Sequence, residues 1–101
     1  MQIPKRIKIG GLIFKVEFYE NLTAGTNSYG QMRPMEQKIV IDKTLSEQMQ
    51  EQTFIHEILE VIDSNYELKL EHRNISVLEA VLYQVIKDNP KVFSDDKRNK
   101  R

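Results

Sequence analysis

The spacing of apolar residues changes near Thr44, and this change divides the chain into two halves. Before Thr44, apolar and polar residues alternate, which is the period of a half-buried β-strand. After Thr44, apolar residues recur every three or four positions, which is the period of an amphipathic helix. A run of strands followed by a run of helices indicates an α+β fold. We expect a small antiparallel sheet of three to four strands packed against two helices.

The first half predicts two pairs of strands. Residues 6–19 form the first pair, with Gly10-Gly11 at the tight turn between its arms. Residues 28–42 form the second pair, with a turn at residues 34–37. The intervening segment NLTAGTN, at residues 21–27, is predicted to be a loop.

The second half predicts two helices. The first runs from about Leu45 to Asn65 or Tyr66, and begins with a capping box formed by Thr44 and Glu47. The second runs from about His72 or Asn74 to Asp88, because the residue before Pro90 is disfavoured in a helix. Their predicted core stripes are Phe54, Ile58, Val61 and Ile62, and then Ile75, Leu78, Leu82, Val85 and Ile86.

Composition limits the classes of function. The 101 residues suit one domain, which we place at residues 1–92, and the charged segment 93–101 is predicted to be a disordered tail. Lys+Arg and Asp+Glu both number 15, so a nucleic-acid or anionic-membrane partner is disfavoured. No apolar run reaches the roughly 20 residues of a membrane span. The N-terminal residues lack a signal peptide, so we expect a cytoplasmic location.

The sequence His56-Glu57-Ile58-Leu59-Glu60 differs at one position from H-E-x-x-H, the zinc-binding helix signature of metallopeptidases. Residues four apart lie on one face of a helix, so His56 and Glu60 can face the same ion. Glu57 is the candidate catalytic residue, because the equivalent glutamate in such enzymes is the general base. The chain has no cysteine, so any metal site must use histidines and carboxylates.

A third ligand has two candidates in the second helix. If His72 is the ligand, the set of His56, Glu60 and His72 has two histidines and one glutamate, which suits Zn²⁺. If Glu79 is the ligand, the set has one histidine and two glutamates, which is nearer to what manganese or magnesium accepts. A third interpretation involves no metal: the His-Glu-x-x-Glu face is solvated, His72 lies in a loop or cap, and Glu79 pairs with a neighbouring cation.

Two further residues are candidates for supporting roles. Asp63 is a candidate to orient His56, and the alternative is an ordinary surface aspartate. Tyr83 is a candidate to donate to a bound oxyanion, and the alternative is a packing tyrosine with its hydroxyl in water.

Several segments together resemble a family of small phage and prophage proteins. They are IVID at 39–42, LSEQ at 45–48, TFIHEIL at 53–59 and LYQVIKDN at 82–89, and the resemblance covers most of residues 6–90. This family is similar to minimal zincin-like metallopeptidases. The resemblance implies a zincin-like fold, with His56 as the first ligand, Glu57 as the general base and Glu60 in the place of the second ligand. It implies a third ligand near His72 or Arg73, which favours His72 over Glu79.

The resemblance implies two functions. One is a Zn²⁺-dependent peptidase of weak or lost activity, since Glu60 alters the motif, acting on a host or phage protein. The alternative is a non-catalytic accessory factor that binds a protein partner or forms a homodimer. In zincins the strand nearest the active-site helix pairs with an extended peptide, and residues 37–42 are the candidate here. A DNA-associated regulator is the least favoured, because the net charge is zero.

Overall fold

The architecture follows the predicted order of strands and then helices. We describe a computed structural model, which covers residues 1–94. None of the helices in this part of the chain is long and apolar enough to cross a membrane. The elements are β1 (Arg6–Ile9), β2 (Leu12–Tyr19), α1 (Leu22–Thr26), β3 (Gly30–Arg33), a 3₁₀ turn (Pro34–Glu36), β4 (Lys38–Asp42), α2 (Glu47–Tyr66) and α3 (His72–Asp88).

The four strands form one mixed sheet in the order β1-β2-β4-β3. The pairs β1–β2 and β3–β4 are antiparallel, whereas β2 and β4 are parallel. The α+β class and the number of strands are confirmed, but the sheet is not wholly antiparallel. The chain reverses twice between β2 and β4, at α1 and after β3, so β4 runs beside β2 in the same direction. Two antiparallel hairpins therefore join through a parallel pair.

The segment predicted to be a loop contains the short helix α1, which ties the ends of β4 and β2 together. The first residue of α1, Leu22, is buried. Asp42, the last residue of β4, accepts hydrogen bonds from the Thr23 amide at 2.8 Å and from the Thr44 amide at 2.8 Å. Hydrogen bonds from Thr23 and Thr44 hold the pKa of Asp42 well below its ordinary value. This buried carboxylate fixes the corner that leads into α2.

The predicted capping box at the start of α2 is wrong. The Thr44 hydroxyl contacts Asp42, to which it donates at 2.6 Å, and it lies outside the first turn of the helix. Ser46 is the N-cap instead, and its hydroxyl accepts from the Met49 amide at 3.2 Å. The helix consequently begins at Glu47 rather than at Leu45, and it ends at the predicted Tyr66.

The core lies between α2 and one face of the sheet. Phe54 and Val61 of α2 are buried there, and Ile58 and Ile62 pack at its edge, so the predicted stripe of α2 is confirmed. The buried members of the core are Ile9, Phe14, Val16, Ile39, Ile41, Phe54 and Val61.

The helix α3 packs mainly against α2. Its predicted bounds are confirmed, but its predicted core stripe is wrong in part. Ile75 is buried, whereas Leu78 and Leu82 are 41% and 39% exposed. A helix with one neighbour buries only a narrow stripe, and here the other buried residue is Tyr83. Most of the predicted tail, residues 95–101, lies outside the described residues.

Candidate metal centre

Three predicted ligand residues come together where α2 and α3 meet. One ligand atom each from His56, Glu60 and His72 lies within 4.8 Å of the other two. His56 Nε2 is 3.7 Å from Glu60 Oε2, across one turn of α2. The imidazole rings of His56 and His72 are nearly edge to face, with centroids 5.3 Å apart. These atoms are close enough to share one cation.

The turn between the helices brings His72 to this position. The helix α2 ends at Tyr66, and both its C-cap Glu67 and Lys69 adopt left-handed backbone conformations, with φ of 52° and 58°. The Asp63 carboxylate accepts from the Leu70 amide at 2.8 Å, which holds the turn against α2. The prediction that Asp63 orients His56 is therefore wrong. Asp63 instead fixes the reversal after which α3 begins with His72.

Glu79 contacts His56 at the ring nitrogen that is not the one nearest Glu60. The distance from His56 Nδ1 to Glu79 Oε1 is 2.9 Å. An ionised carboxylate only accepts, so this contact places a proton on Nδ1; in the neutral ring, Nε2 then carries the lone pair and lies on the side of Glu60 and His72. Metal-binding histidines in proteins usually donate their other ring N–H to a carboxylate or carbonyl in this way. Glu79 thus contacts the nitrogen that points away from the cluster, and His72 is the residue that completes it.

Glu57 lies beside the cluster and is buried, with 6% of its surface exposed. Within residues 1–94 its carboxyl group has no hydrogen-bond or ion-pair partner. Desolvation by burial raises the pKa of Glu57 to about 7. The nearby His56 acts in the opposite direction, and the charges of Glu60 and Glu79 add to the rise in pKa. A carboxyl group with a pKa near neutrality is suited to accept and release protons.

Gly30 lets the strand β3 approach the α2 helix at Glu57. A Cβ atom at Gly30 would lie 2.6 Å from Thr53 Cγ2, 3.0 Å from the Val40 carbonyl oxygen and 3.2 Å from Glu57 Cγ. Any larger residue would force β3 away from α2. The position of Gly30 in the sequence did not indicate this close contact, since isolated glycines in strands have several causes.

A cavity of about 730 Å³ opens in front of the cluster. Besides the three candidate ligands, Glu57 and Glu79, it is lined by residues of β3, α2 and the segment before β3, among them Tyr29, Met32, Met49 and Thr53. The strand at this side is β3, which is the edge strand, whereas β4 lies inside the sheet between β2 and β3. The prediction that residues 37–42 form the edge of the cleft is therefore wrong. An interior strand has both edges paired, and only β3 offers a free edge here.

Tyr83 does not line the cavity. Its hydroxyl is buried and donates to Glu51 Oε1 at 2.6 Å, while Lys87 Nζ donates to the Tyr83 oxygen at 3.1 Å. Burial and the hydrogen bond to Glu51 raise the pKa of Tyr83 above its ordinary value. The predicted role as an oxyanion donor is wrong, and so is the alternative of a hydroxyl in water. Tyr83 instead joins α3 to α2 through a buried polar contact.

No protein-family model, curated protein or solved structure matches this chain. The resemblance to phage proteins stays a prediction. What can be inferred about function therefore rests on the chemistry of the cluster formed by His56, Glu60 and His72, and on the cavity before it.

Proposed function

We propose that this protein is a zincin-like metalloprotein that binds Zn²⁺ through His56, Glu60 and His72. The observation that carries the proposal is the convergence of two imidazoles and one carboxylate within 4.8 Å. Three protein ligands of this kind, with one position left for water or substrate, are characteristic of catalytic zinc sites. The hydrogen bond from His56 Nδ1 to Glu79 further supports a ligand role for Nε2.

The chemistry of the donors favours zinc among divalent cations. Two imidazole ligands suit zinc, whereas magnesium and calcium prefer sites made of oxygen atoms alone. The surroundings also favour a cation, because Glu57 and Glu79 add carboxylates next to the ligand Glu60. A bound dication would relieve the repulsion among these three acidic groups.

The catalytic part of the proposal concerns Glu57. A zinc ion in such a site acts as a Lewis acid on water and on carbonyl oxygens. Glu57 is buried at the cavity and has a carboxyl group free to take a proton from a water molecule there. The free edge of β3 can pair with an extended peptide, as edge strands do in other peptide-binding proteins. These features support a peptidase.

Glu60 is the reason to expect weak hydrolysis. Compared with a site of three histidines, the carboxylate ligand adds negative charge, and this lessens the acidity that zinc gives to a bound water. The free edge of β3 also supports a second function, in which the protein binds an extended peptide of a partner without cleaving it. The phage origin and the host or phage partner implied by the resemblance, and the cytoplasmic location expected from the N-terminal residues, belong to this proposal as predictions.

The metal is tested by elemental analysis of the purified chain after dialysis against Zn²⁺. We expect one zinc ion per chain, and we expect none for His56→Ala. The control is Glu47→Gln, which alters an exposed glutamate in the first turn of the same helix and should keep the zinc. A wild-type chain without zinc, or a His56→Ala variant that retains it, would refute the site.

Two substitutions separate the peptidase from the binding protein. Glu60→His restores the usual second ligand, so it should tighten zinc binding and raise any hydrolysis of a peptide library. Glu57→Gln should keep zinc and abolish that hydrolysis, because it removes the proton acceptor. If both zinc-loaded proteins, wild type and Glu60→His, leave every peptide intact, the peptidase is rejected and the binding function remains.

A further inference from the structure

The helix α3 carries apolar side chains on two opposite faces. The inner face packs on α2 and includes the buried Ile75 and Tyr83. The outer face carries five more apolar residues, and four of them are between 39% and 54% exposed. We call these five residues the outer stripe: Val77, Leu78, Val81, Leu82 and Val85.

The spacing of the outer stripe is that of a packing surface. Val77, Val81 and Val85 follow one another at intervals of four, and Leu78 and Leu82 form a second row beside them. The solvent-facing side of a helix is normally polar, so a contiguous group of exposed apolar residues there is typical of an interaction surface. Within residues 1–94, only α2 packs extensively against α3. The outer stripe is therefore open to a partner from outside these residues.

We propose that the outer stripe is the interface of a homodimer, in which α3 packs antiparallel against α3 of a second copy. A two-fold interface brings the same surface of both copies together, so the surface must complement itself. Val81 is the centre of the stripe, with Val77 four residues before it and Val85 four residues after it. A two-fold axis near Val81 therefore places Val77 of one copy beside Val85 of the other.

The charges that flank the stripe favour this antiparallel arrangement. Arg73 lies eight residues before Val81 and Asp88 lies seven residues after it, and both are exposed. At 100° per residue, both lie on the same flank of the stripe. Antiparallel pairing brings Arg73 of each copy toward Asp88 of the other, so two opposite-charge pairs form. Parallel pairing would instead place both Arg73 side chains at one end of the interface and both Asp88 side chains at the other, so these opposite charges could not pair.

Other properties of the chain favour a second copy as the occupant. The zero net charge means that two copies do not repel each other at long range. The C-terminal residues 95–101 contain no apolar residue, so this part of the chain cannot bury the stripe. A helix of 17 residues is about 25 Å long, which gives a modest interface and a dimer that forms reversibly with concentration.

The proposed dimer is independent of the proposed metal site. His72, Ser76 and Glu79 lie on the opposite side of α3 and line the cavity. Pairing through the outer stripe leaves that cavity open in both copies. Failure of one proposal therefore leaves the other intact.

Sedimentation velocity over a range of concentrations tests the dimer. We expect wild-type protein to shift from the 11.9 kDa chain mass to twice that mass as concentration rises. Val81→Glu should remain monomeric, because it sets two carboxylates against each other at the axis. The matched control is Ile13→Glu on β2, since Ile13 is 55% exposed and Val81 is 54% exposed. A monomeric wild type, or a Val81→Glu variant that still forms dimers, overturns the proposal.

A crosslinking experiment tests the register without a disruptive charge. The chain has no cysteine, so Val81→Cys introduces the only thiol. Near a two-fold axis, this residue and its copy are close enough for a disulfide, and oxidation should give a covalent dimer. Ile13→Cys should remain largely uncrosslinked under the same conditions. Equal crosslinking of the two variants would show that the outer stripe is not the interface.

Discussion

Two polar contacts join the same pair of helices, and they differ in what they leave unsatisfied. Near the start of α2, Glu51 pairs with Tyr83 at 2.6 Å; one and a half turns further on, His56 pairs with Glu79 at 2.9 Å. Both link α2 to α3. The contact between Glu51 and Tyr83 is buried, and we call it the closed contact. The contact between His56 and Glu79 faces a cavity, and we call it the open contact.

The closed contact is complete in itself. Tyr83 donates to Glu51 and accepts from Lys87, and both Glu51 and Tyr83 are buried. The open contact uses only one nitrogen of His56 and leaves Nε2 facing Glu60 and His72. The difference shows what to look for in a polar pair between helices. The pair suggests a functional site when one of its side chains, here His56, has a second polar atom that faces a cavity. The closed pair serves to position the helices.

The largest expected effect at the open contact is the loss of a ligand. Loss of a residue that only orients a metal ligand weakens metal binding by up to about 100-fold. We expect His72→Ala to weaken zinc binding by more than this, because it removes a ligand itself. His72 is exposed, so the variant should fold as the wild type does. A competition titration with a chromophoric chelator measures the dissociation constant. An unchanged constant would exclude His72 and point to Glu79 as the third ligand.

Substitution of Glu79 should have the next largest effect. Glu79→Gln leaves a weaker acceptor for His56 Nδ1, so we expect zinc affinity to fall by about 10–100-fold. The matched control is Glu51→Gln, which makes the same chemical change in the closed contact. It should leave zinc affinity unchanged. Equal losses in both variants would mean that the two contacts act only by holding α2 and α3 together.

The closed contact should matter for stability instead. Tyr83→Phe removes the hydroxyl that donates to Glu51, so the buried carboxylate keeps only the more distant N-terminal amino group of Met1, at 3.8 Å. We expect the free energy of unfolding to fall by about 1–3 kcal/mol, as measured by urea denaturation followed by circular dichroism. Zinc affinity should stay within experimental error. A stable Tyr83→Phe variant with weakened zinc binding would reverse the roles of the two contacts.

The smallest expected effect is a dependence of stability on alkaline pH. Burial is the main cause that raises the pKa of Tyr83 above its ordinary value of 10.0 in the folded state, and the hydrogen bond to Glu51 is the second cause. The folded state therefore binds this proton more tightly than the unfolded state does. The contribution to stability is complete below pH about 10 and is lost as the pH rises through the folded value. Denaturation midpoints should fall more steeply above that pH for wild type than for Tyr83→Phe, and parallel curves would contradict the expectation.

The sequence predicted the strands and helices better than it predicted which of them pack or pair with one another. Periodicity gave the strands, the two long helices and the core stripe of α2, because these depend on local spacing. It did not give the parallel pairing of β2 with β4, since the sequence does not specify which strand edges meet. It also placed Leu78 and Leu82 in the core, because an apolar stripe looks the same in the sequence whether or not α2 covers it.

The candidate site was predictable where it depends on helical spacing. His56 and Glu60 are four residues apart. The chain has no cysteine, and His72 is its only other histidine, so few other ligands were available. The position of Glu79 behind His56 was not predictable, because it depends on how α3 crosses α2. The contact of Gly30 with Thr53 and Glu57 was hidden for the same reason: it joins residues distant in sequence across a packed interface.

The pairing of His56 and His72, with rings 5.3 Å apart, has a spectroscopic consequence. The chain contains only two histidines, and both lie at the site. Every imidazole signal in a proton NMR spectrum of unlabelled protein therefore comes from the site itself, with no background from other histidines. Changes in tautomer, protonation or ligation can be followed on the ring C–H resonances of these two residues, without isotopes and without assigning the rest of the spectrum.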